Sequence, residues 1–413
     1  MDPLIGNDAV VFGVLLLILA FIFHTSYSKN KYWKKFYTFI PALLLCYFVP
    51  GLLNTFGIIS GENSKLYFVA TRYFLPASLV LLTLSIDLKG LIKLGPKAII
   101  MTLTGTLGIV LGGPISIIIV SIFSPETVGG AGADAVWRGL ATIAGDWIGG
   151  GANQTAMLEV FGASEQLFSQ MITVSIIVGY LWMGVLLYGA GIKTKLDSWL
   201  KADSSSIDQV QKRIENYNFS IQKYITTPAL IKILAAAFGV TAAAHLGADI
   251  IAPYFEENFP VLKRFSLTSG FFWIVIIATT GGLILSFTKL RDLEGSGASK
   301  IGSAFLYILV AVIGMSMDIT AILHNPGLFI VAVIWILFHV SVLLIVGKLI
   351  KSPYFFIAVG SMANIGGAAS APIVASSFHP SLAPVGVLLA VVGYAVGTYA
   401  AWLSAILMSL VAP

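Results

Sequence analysis

The chain has 413 residues, of which 57% are hydrophobic and only 10% are charged. Soluble globular domains carry about 25% charged residues, so this composition excludes a soluble domain and indicates a protein of the lipid bilayer. A single cysteine, Cys46, excludes an intrachain disulfide framework and a cysteine-based metal cluster. The net charge is only +5, and we expect neither a nucleic-acid partner nor an organic cofactor.

Apolar stretches of about 20 residues, the length that spans a bilayer as a helix, recur along the chain. The first, 9–28, has no basic residue before it and is expected to be a membrane helix rather than a cleaved signal peptide. Two stretches with glycine runs, 138–162 and 353–378, are predicted to be broken or re-entrant helices. Ten others are predicted to cross the membrane: 9–28, 37–58, 67–86, 98–123, 165–191, 228–252, 267–288, 300–320, 326–350 and 382–411.

The one sizeable polar segment is 192–227, in which Lys residues alternate with acids. It divides the chain into a first membrane repeat, 1–191, and a second, 228–413. We predict that this segment is a cytoplasmic linker with a short amphipathic helix at 205–218.

The distribution of basic residues predicts how 138–162 enters the membrane, because cytoplasmic loops carry an excess of Lys and Arg. With the N-terminus outside and 138–162 re-entrant, nineteen of the 24 Lys and Arg residues lie inside. If 138–162 crosses instead, every later loop changes side and only nine of them lie inside. The pattern therefore favours a re-entrant 138–162. It does not orient 353–378, since no Lys or Arg follows Lys351.

Short matches occur in the same order in both halves of the chain. The copy at Ser85–Leu88 ends an apolar stretch that is predicted to run inward, and its match at Ser316–Ile319 ends a stretch that is predicted to run outward. The repeats are therefore predicted to be inverted. Inverted repeats with interrupted helices near the midplane are typical of secondary transporters. The matches are Ser85–Leu88 with Ser316–Ile319, Ile148–Gly150 with Ile365–Gly367, and Val178–Tyr180 with Val392–Tyr394.

The glycine runs, Gly145–Met157 and Gly360–Pro372, are predicted to form the two halves of one binding site. Each glycine weakens a helix by about 1 kcal/mol, and helix N-termini freed at the midplane attract anions while unwound carbonyls bind Na⁺. The alternative is that the glycines only let helices pack closely. The candidate substrate-binding residues are Gly149, Gly150, Gly151, Asn153, Gln154, Thr155, Ser361, Asn364, Gly366, Gly367 and Ser370.

Three acids are candidates for ion coupling. Asp146 is the only acid within the two glycine runs, and an ionisable residue at membrane depth is a candidate functional group. Its alternatives are to cap a half-helix or to pair with Arg138. Asp87 and Asp318 lie at predicted helix ends, where capping competes with ion coordination. Arg72, within an apolar stretch, is expected to extend its charge to the outer surface.

The sequence offers little support for an enzyme. The HExxH and Gly-x-Ser-x-Gly motifs are absent. Gly145 and Asp146 resemble part of the aspartyl intramembrane-protease motif, but position 143 is Ile where that motif has Gly. The His residues show no metal-ligand spacing, so no metal site is expected. A channel and a cation/proton antiporter remain alternatives to a symporter, and an intramembrane enzyme is less favoured.

Four short motifs along the chain resemble those of a known family. They are Asn7–Val10, Leu75–Ser78 with Ser85–Gly90, Leu293–Gly295 and Ala363–Pro372. They resemble those of a bacterial and plant family of multi-pass membrane proteins of unassigned function. That family is grouped with the cation:proton antiporter and anion transporter superfamily, the wider relatives of bile-acid:sodium and glutamate:sodium symporters. The resemblance spans essentially the whole chain and implies a scaffold-and-core transporter whose glycine-rich segments form the substrate site.

Together these patterns predict an all-α polytopic membrane protein with two inverted repeats, about ten transmembrane helices and two glycine-rich broken or re-entrant helices. The predicted function is secondary active transport of a small polar or anionic organic solute, such as an amino acid, a short peptide or a carboxylate, by Na⁺- or H⁺-coupled symport. No transit peptide is visible, which favours the bacterial inner membrane. The solute's identity, the direction of transport and a homodimeric state are left open.

Overall fold

The computed structural model describes residues 3–40, 42–61, 64–86, 94–202, 226–265, 267–315, 325–379 and 382–413. All the regular elements within these ranges are helical, which confirms the predicted all-helical class. Asp87, Asp318 and the predicted helix at 205–218 lie outside the described residues.

The helices follow the predicted apolar stretches closely. In the first half they are α1 Asp8–Ser26, α2 Lys31–Phe39, α3 Ala42–Thr55, α4 Leu66–Leu84, α5 Pro96–Phe123, α6 Val136–Phe161, α7 Glu165–Gly191 and α8 Lys193–Leu200. In the second half they are α9 Thr227–Asn258, α10 Gly270–Ser286, α11 Ala298–Gly314, α12 Gly327–Leu349, α13 Tyr354–Ile365, α14 Gly367–Phe378 and α15 Ala383–Val411. Shorter helical turns cover Pro125–Val128, Gly132–Asp134, Pro260–Phe265 and Lys289–Ser296.

Seven of the described helices are long and apolar enough to cross a membrane, namely α1, α4, α5, α7, α9, α12 and α15. An eighth is obtained if α10 and the bent segment that follows it form one span. The predicted spans 37–58 and 300–320 form the shorter helices α3 and α11. The stretch 37–58 is divided because Ile40 has extended backbone angles and ends α2.

Side chains that accept backbone hydrogen bonds begin several of these helices. Asn7 accepts from the backbone of Ala9 at the start of α1, and Ser164 accepts from Leu167 at the start of α7. Asn and Ser are favoured at this position because they satisfy backbone N–H groups that have no partner within the helix. Local sequence therefore sets where these apolar helices begin.

The helices form two groups that pack mainly within themselves. In the first group, the core bundle, α15 packs along α6 and α14, α12 packs along α5, and α7 and α13 complete the bundle. In the second, the scaffold bundle, α4 packs against α9, α10 and α11, while α1 and α3 pack against α11. The two bundles contact each other less extensively, mainly where α4 and α10 meet α6 and α15.

Both glycine-rich segments fold back on themselves as helical hairpins. In α6, called hairpin 1, the rings of Trp137 and Phe161 lie 5.7 Å apart, although 24 positions of straight helix would separate them by about 36 Å. In α13 and α14, called hairpin 2, the rings of Tyr354 and Phe355 lie 6.0 and 5.2 Å from that of Phe378. Neither segment is a single continuous rod.

The hairpins open at opposite ends of the core bundle. The Ser164 backbone, just after hairpin 1, bonds to Ala133 just before it, and α7 begins at the next residue. The last part of α7 reaches the opening of hairpin 2, where Tyr354 donates to the Leu186 carbonyl oxygen at 3.4 Å. Because Leu186 lies 21 residues after Glu165, the first residue of α7, about 32 Å of helix separates the two openings.

This arrangement predicts which loops share a side of the membrane. Ser60 precedes α4 and Ser198 lies in α8, after α7, so the charge pattern places Ser60 outside and Ser198 in the cytoplasm. In a Cys46→Ala background, a membrane-impermeant maleimide applied to intact cells should label Ser60→Cys. It should label Ser198→Cys only after the cells are opened. Labelling of both cysteines in intact cells would contradict the proposed topology.

Candidate functional site

The tip of hairpin 1 has a backbone that requires glycine. Gly150 has φ 74° and ψ −173°, a combination that essentially only glycine adopts without strain. Five residues earlier, a Cβ added to Gly145 would lie 2.5 Å from the Asn153 carbonyl oxygen, so the two arms are in backbone contact. In hairpin 2, Gly367 also has a positive φ, 55°. The glycine runs therefore form the turns of the two hairpins.

The two tips meet near the middle of α7. A Cβ added to Gly179 of α7 would lie 3.4 Å from Ile365 Cγ2, at the end of α13. The next residue, Tyr180, interacts with Ser370 of hairpin 2 and with Asp146 of hairpin 1. The predicted halves of the site are thus brought together, with Tyr180 between them.

An open space borders these tips. Gly150, Gly367 and Asp146 are partly exposed, and a Cβ added to Gly367 would meet no atom within 4 Å. Tyr394 of α15 is also partly exposed, and its Cε1 atom lies 3.9 Å from where a Cβ of Gly150 would be. The backbone of both turns is therefore left largely uncovered by neighbouring side chains.

Asp146 lies on the first arm of hairpin 1, one turn before the tip. Ser175 of α7 donates a short hydrogen bond to its carboxylate. Tyr47 of α3 also interacts with it electrostatically. The predicted alternative, a pair with Arg138, is wrong: Arg138 donates to the Phe161 carbonyl oxygen at the opening of the hairpin.

Asn153 ties the tip of hairpin 1 to neighbouring helices. Its Nδ2 donates to the Gly149 carbonyl oxygen at 3.0 Å, and its Oδ1 accepts from Thr398 of α15 at 2.5 Å. Thr398 is in turn 3.1 Å from Thr279 of α10. These side chains are buried, so the amide completes the bonding of an interrupted helix.

Among the described residues no three His, Cys, Asp or Glu side chains come together to form a possible metal site.

Gln154 and Thr155 follow the tip on the buried side of the second arm. The Tyr47 hydroxyl donates to Gln154 Oε1 at 3.4 Å, and Thr155 donates to the Gly151 carbonyl oxygen at 3.0 Å. Gln154 Nε2 is buried and has no hydrogen-bond partner in the structure. Both residues are therefore covered by protein, next to Tyr47.

Asn364 plays the same part in hairpin 2 that Asn153 plays in hairpin 1. Its Nδ2 donates to the carbonyl oxygens of Thr102 and Gly360 at 2.9 and 2.8 Å. Its Oδ1 accepts from Thr106 at 2.7 Å. The amide thereby joins the end of α13 to α5 through its bonds to Thr102 and Thr106, both of which are buried.

Ser361 lies deeper in hairpin 2, between two side chains that the sequence did not single out as site residues. The Trp182 indole donates to its hydroxyl at 2.9 Å, and His339 Nε2 lies 2.8 Å from it. His339 Nδ1 faces the Gly105 carbonyl oxygen at 3.0 Å and so carries a proton there, since a carbonyl only accepts. In the neutral imidazole, Ser361 therefore donates to Nε2. This network braces α13 against α7 and α12.

A charged cluster that the sequence did not predict joins the scaffold bundle to hairpin 1. Arg72 lies 4.0 Å from the Glu159 carboxylate and over the ring of Phe271 at 4.4 Å. Tyr67 donates a short hydrogen bond to the same carboxylate. The Arg72 side chain is 31% exposed, and its expected extension to the outer surface stays a prediction. The partners lie 87 positions apart in the chain, and no spacing rule connects them.

The geometry of the tip predicts a sharp difference between adjacent glycines. Gly150→Ala places a Cβ at a positive φ and should cost about 1–3 kcal/mol of stability. Gly151→Ala, in ordinary contact with Leu306 at 3.8 Å, should be neutral or stabilising by about 1 kcal/mol. Thermal unfolding of the purified variants checks this. Equal melting temperatures for the two variants would contradict the turn at Gly150.

The comparisons with known proteins agree with a membrane protein. The Bacillus subtilis (strain 168) protein named "Uncharacterized membrane protein YjcL" is 23% identical to this chain over 357 residues, which cover 83% of each protein. A family match extends over residues 13–411, nearly the whole chain. The chain belongs to the family described as "Protein of unknown function (DUF819)".

Proposed function

We propose that this protein is a secondary active transporter that carries a small polar or anionic organic solute between the tips of its two hairpins. The observation that carries the proposal is that hairpins opening at opposite ends of one bundle meet beside Asp146, a carboxylate on the first arm of hairpin 1. Interrupted helices that meet near the midplane are a recurrent way to build a transporter site. In this arrangement ten helices cross the membrane and both hairpins are re-entrant.

The hairpins support an inverted repeat. Gly150 and Gly367, the tip residues with positive φ, are 217 positions apart. The aromatic residues that close each opening have the same offset, since Trp137 corresponds to Tyr354 and Phe161 to Phe378. The opposite direction of the two openings is what inversion requires. The same architecture supports kinship with the cation:proton antiporter and anion transporter superfamily.

The division into bundles provides a route for alternating access. Only limited contacts join the core bundle to the scaffold bundle, among them Arg72 with Glu159 and Thr279 with Thr398. Movement of the core bundle as a unit would break these contacts and leave the networks around Asn153 and Asn364 intact. Each hairpin would then cover the solute from one side of what we propose is the bacterial inner membrane.

Coupling to Na⁺ or H⁺ is proposed to act at Asp146, with symport as the first mode. The carboxylate lies at the tips, is partly exposed and has a hydroxyl donor, Ser175. Asp87 and Asp318 are the next candidates. The remaining predicted site residues, in particular Asn153 and Asn364, then hold the turns in shape while the backbone of the tips faces the solute.

The test uses purified protein in proteoliposomes with an imposed Na⁺ or pH gradient. A panel of amino acids, dipeptides and carboxylates is offered at increasing concentration. Saturable accumulation that collapses with the gradient is expected for at least one member. Flux that does not saturate would favour a channel, and chemical conversion without a gradient would favour an enzyme.

Asp146→Asn gives the matching prediction for coupling. The amide keeps the shape of the side chain but removes its charge, so solute affinity should fall and should no longer respond to Na⁺ or pH. The measurement is solute affinity against Na⁺ concentration at two pH values, in wild type and variant. Glu126→Gln, which removes an exposed carboxylate outside the core, is the control. An unchanged ion response in Asp146→Asn would move coupling to Asp87 or Asp318.

A further inference from the structure

The carboxylate at the hairpin tips has no positively charged partner within the part of the chain that the structure describes. Ser175 supplies a neutral hydroxyl, and no Lys, Arg or His of the described ranges forms an ion pair with Asp146. Arg138, on the same arm, bonds to a backbone carbonyl at the hairpin opening instead. Arg72 is used by Glu159. Asp146 is therefore a negative charge deep in the bundle that the described protein leaves unbalanced.

Four tyrosines lie near the hairpin tips, and one of them, Tyr47, is fully buried. Tyr47 of α3 and Tyr180 of α7 are the titratable groups that interact with Asp146. Tyr394 of α15 faces the turn at Gly150, and Tyr307 of α11 interacts with both Tyr180 and Tyr394. These rings come from four helices of both bundles. The space thus combines one acid with aromatic faces and hydroxyl groups.

These groups select the charge of an occupant. A carboxylate removed from bulk water is costly unless an opposite charge or several hydrogen bonds compensate it. Aromatic rings attract ammonium groups, by about 0.5–2 kcal/mol per contact. A plain carboxylate solute would instead bring a second negative charge close to Asp146, which is repulsive.

We propose that the transported solute carries a protonated amine, which pairs with Asp146 and contacts the partly exposed rings of Tyr180 and Tyr394. This inference rests on the proposed transport function and narrows its substrate class. Of the three classes that the sequence left open, it keeps amino acids and short peptides and removes simple carboxylates. The solute's own carboxylate, if it has one, would lie toward the backbone N–H groups that begin α14 at Gly367.

The assignment replaces symport at Asp146 by exchange as the first mode of coupling. One carboxylate balances one positive charge, so an amine and a coupling cation at Asp146 would occupy it in turn, which is exchange. Symport would require the coupling cation to bind at another acid, and Asp87 and Asp318 are the candidates.

Matched pairs of probes test the amine directly. Thermal unfolding of the purified full-length protein is measured at fixed pH and Na⁺ with glycine, L-alanine, L-glutamate, L-lysine, and the dipeptides Ala-Ala and Ala-Glu. Each is compared with its counterpart acetylated on every amino group, which keeps the shape and loses the positive charge. At least one amine should raise the melting temperature by several degrees, and its acetylated counterpart should not. The inference is overturned if only acetylated compounds raise the melting temperature, if an amine and its acetylated counterpart raise it equally, or if no amine raises it.

Variants assign the effect to Asp146. In Asp146→Asn the affinity for the stabilising amine should fall by at least about tenfold, the loss expected for a charged hydrogen bond, while Glu126→Gln should bind as wild type does. If Asp146→Asn does not fold, the wild-type comparison of amine with acetylated amine still decides the question. Unchanged amine affinity in a folded Asp146→Asn protein overturns the assignment.

Uptake separates this inference from the transport proposal. Lactate and glutarate lack an amine. If they accumulate under a gradient and none of the amines does, the transport proposal stands and the inference that the solute carries an amine is overturned. If an amine binds in a way that depends on Asp146 but does not accumulate under a gradient, the amine-binding site stands and the transport proposal is overturned.

Discussion

The bonding of interrupted helices inside an apolar bundle is the constraint on which the rest of this structure depends. Backbone N–H and C=O groups freed at a break cost several kcal/mol each in hydrocarbon unless protein supplies partners. Asn153 and Asn364 supply them at the two tips, each bonding a backbone carbonyl on its own hairpin and a threonine on a neighbouring helix. Because those threonines lie on α15 and α5, each tip is stable only when the core bundle is assembled around it.

The same requirement explains the close crossing of α5 and α12. Trp335 donates to the Ile109 carbonyl oxygen at 2.8 Å, and His339 bonds to that of Gly105. A Cβ added to Gly108 would lie 3.1 Å from His339, so a small residue is needed there for the helices to approach. These bonds hold α13 in place through Ser361. The core bundle is therefore internally fastened by buried polar contacts, whereas the scaffold bundle meets it through fewer.

Sequence reasoning predicted what depends on local pattern. The lengths of apolar stretches gave helices such as α5 and α7 to within two residues, and the glycine runs gave the two turns. It did not predict contacts between distant residues. Arg72 with Glu159 and Trp182 with Ser361 join positions 87 and 179 apart, and hydropathy carries no information about such partners. It could not predict the neighbours of Asp146 either, because they come from α3 and α7.

Asp146 and Gly150 are the places where this chain departs most from a stable membrane bundle. An apolar residue in place of the acid and a continuous helix in place of the turn would both satisfy local preferences better. Natural sequences depart from such preferences mainly at functional sites. Because both departures lie one turn apart on one arm, beside the tip of the opposite hairpin, a single occupant can compensate both. Under the proposed transport function, a solute that balances the charge and fills the space would close the two hairpins around itself, which links solute binding to the stability of the core bundle.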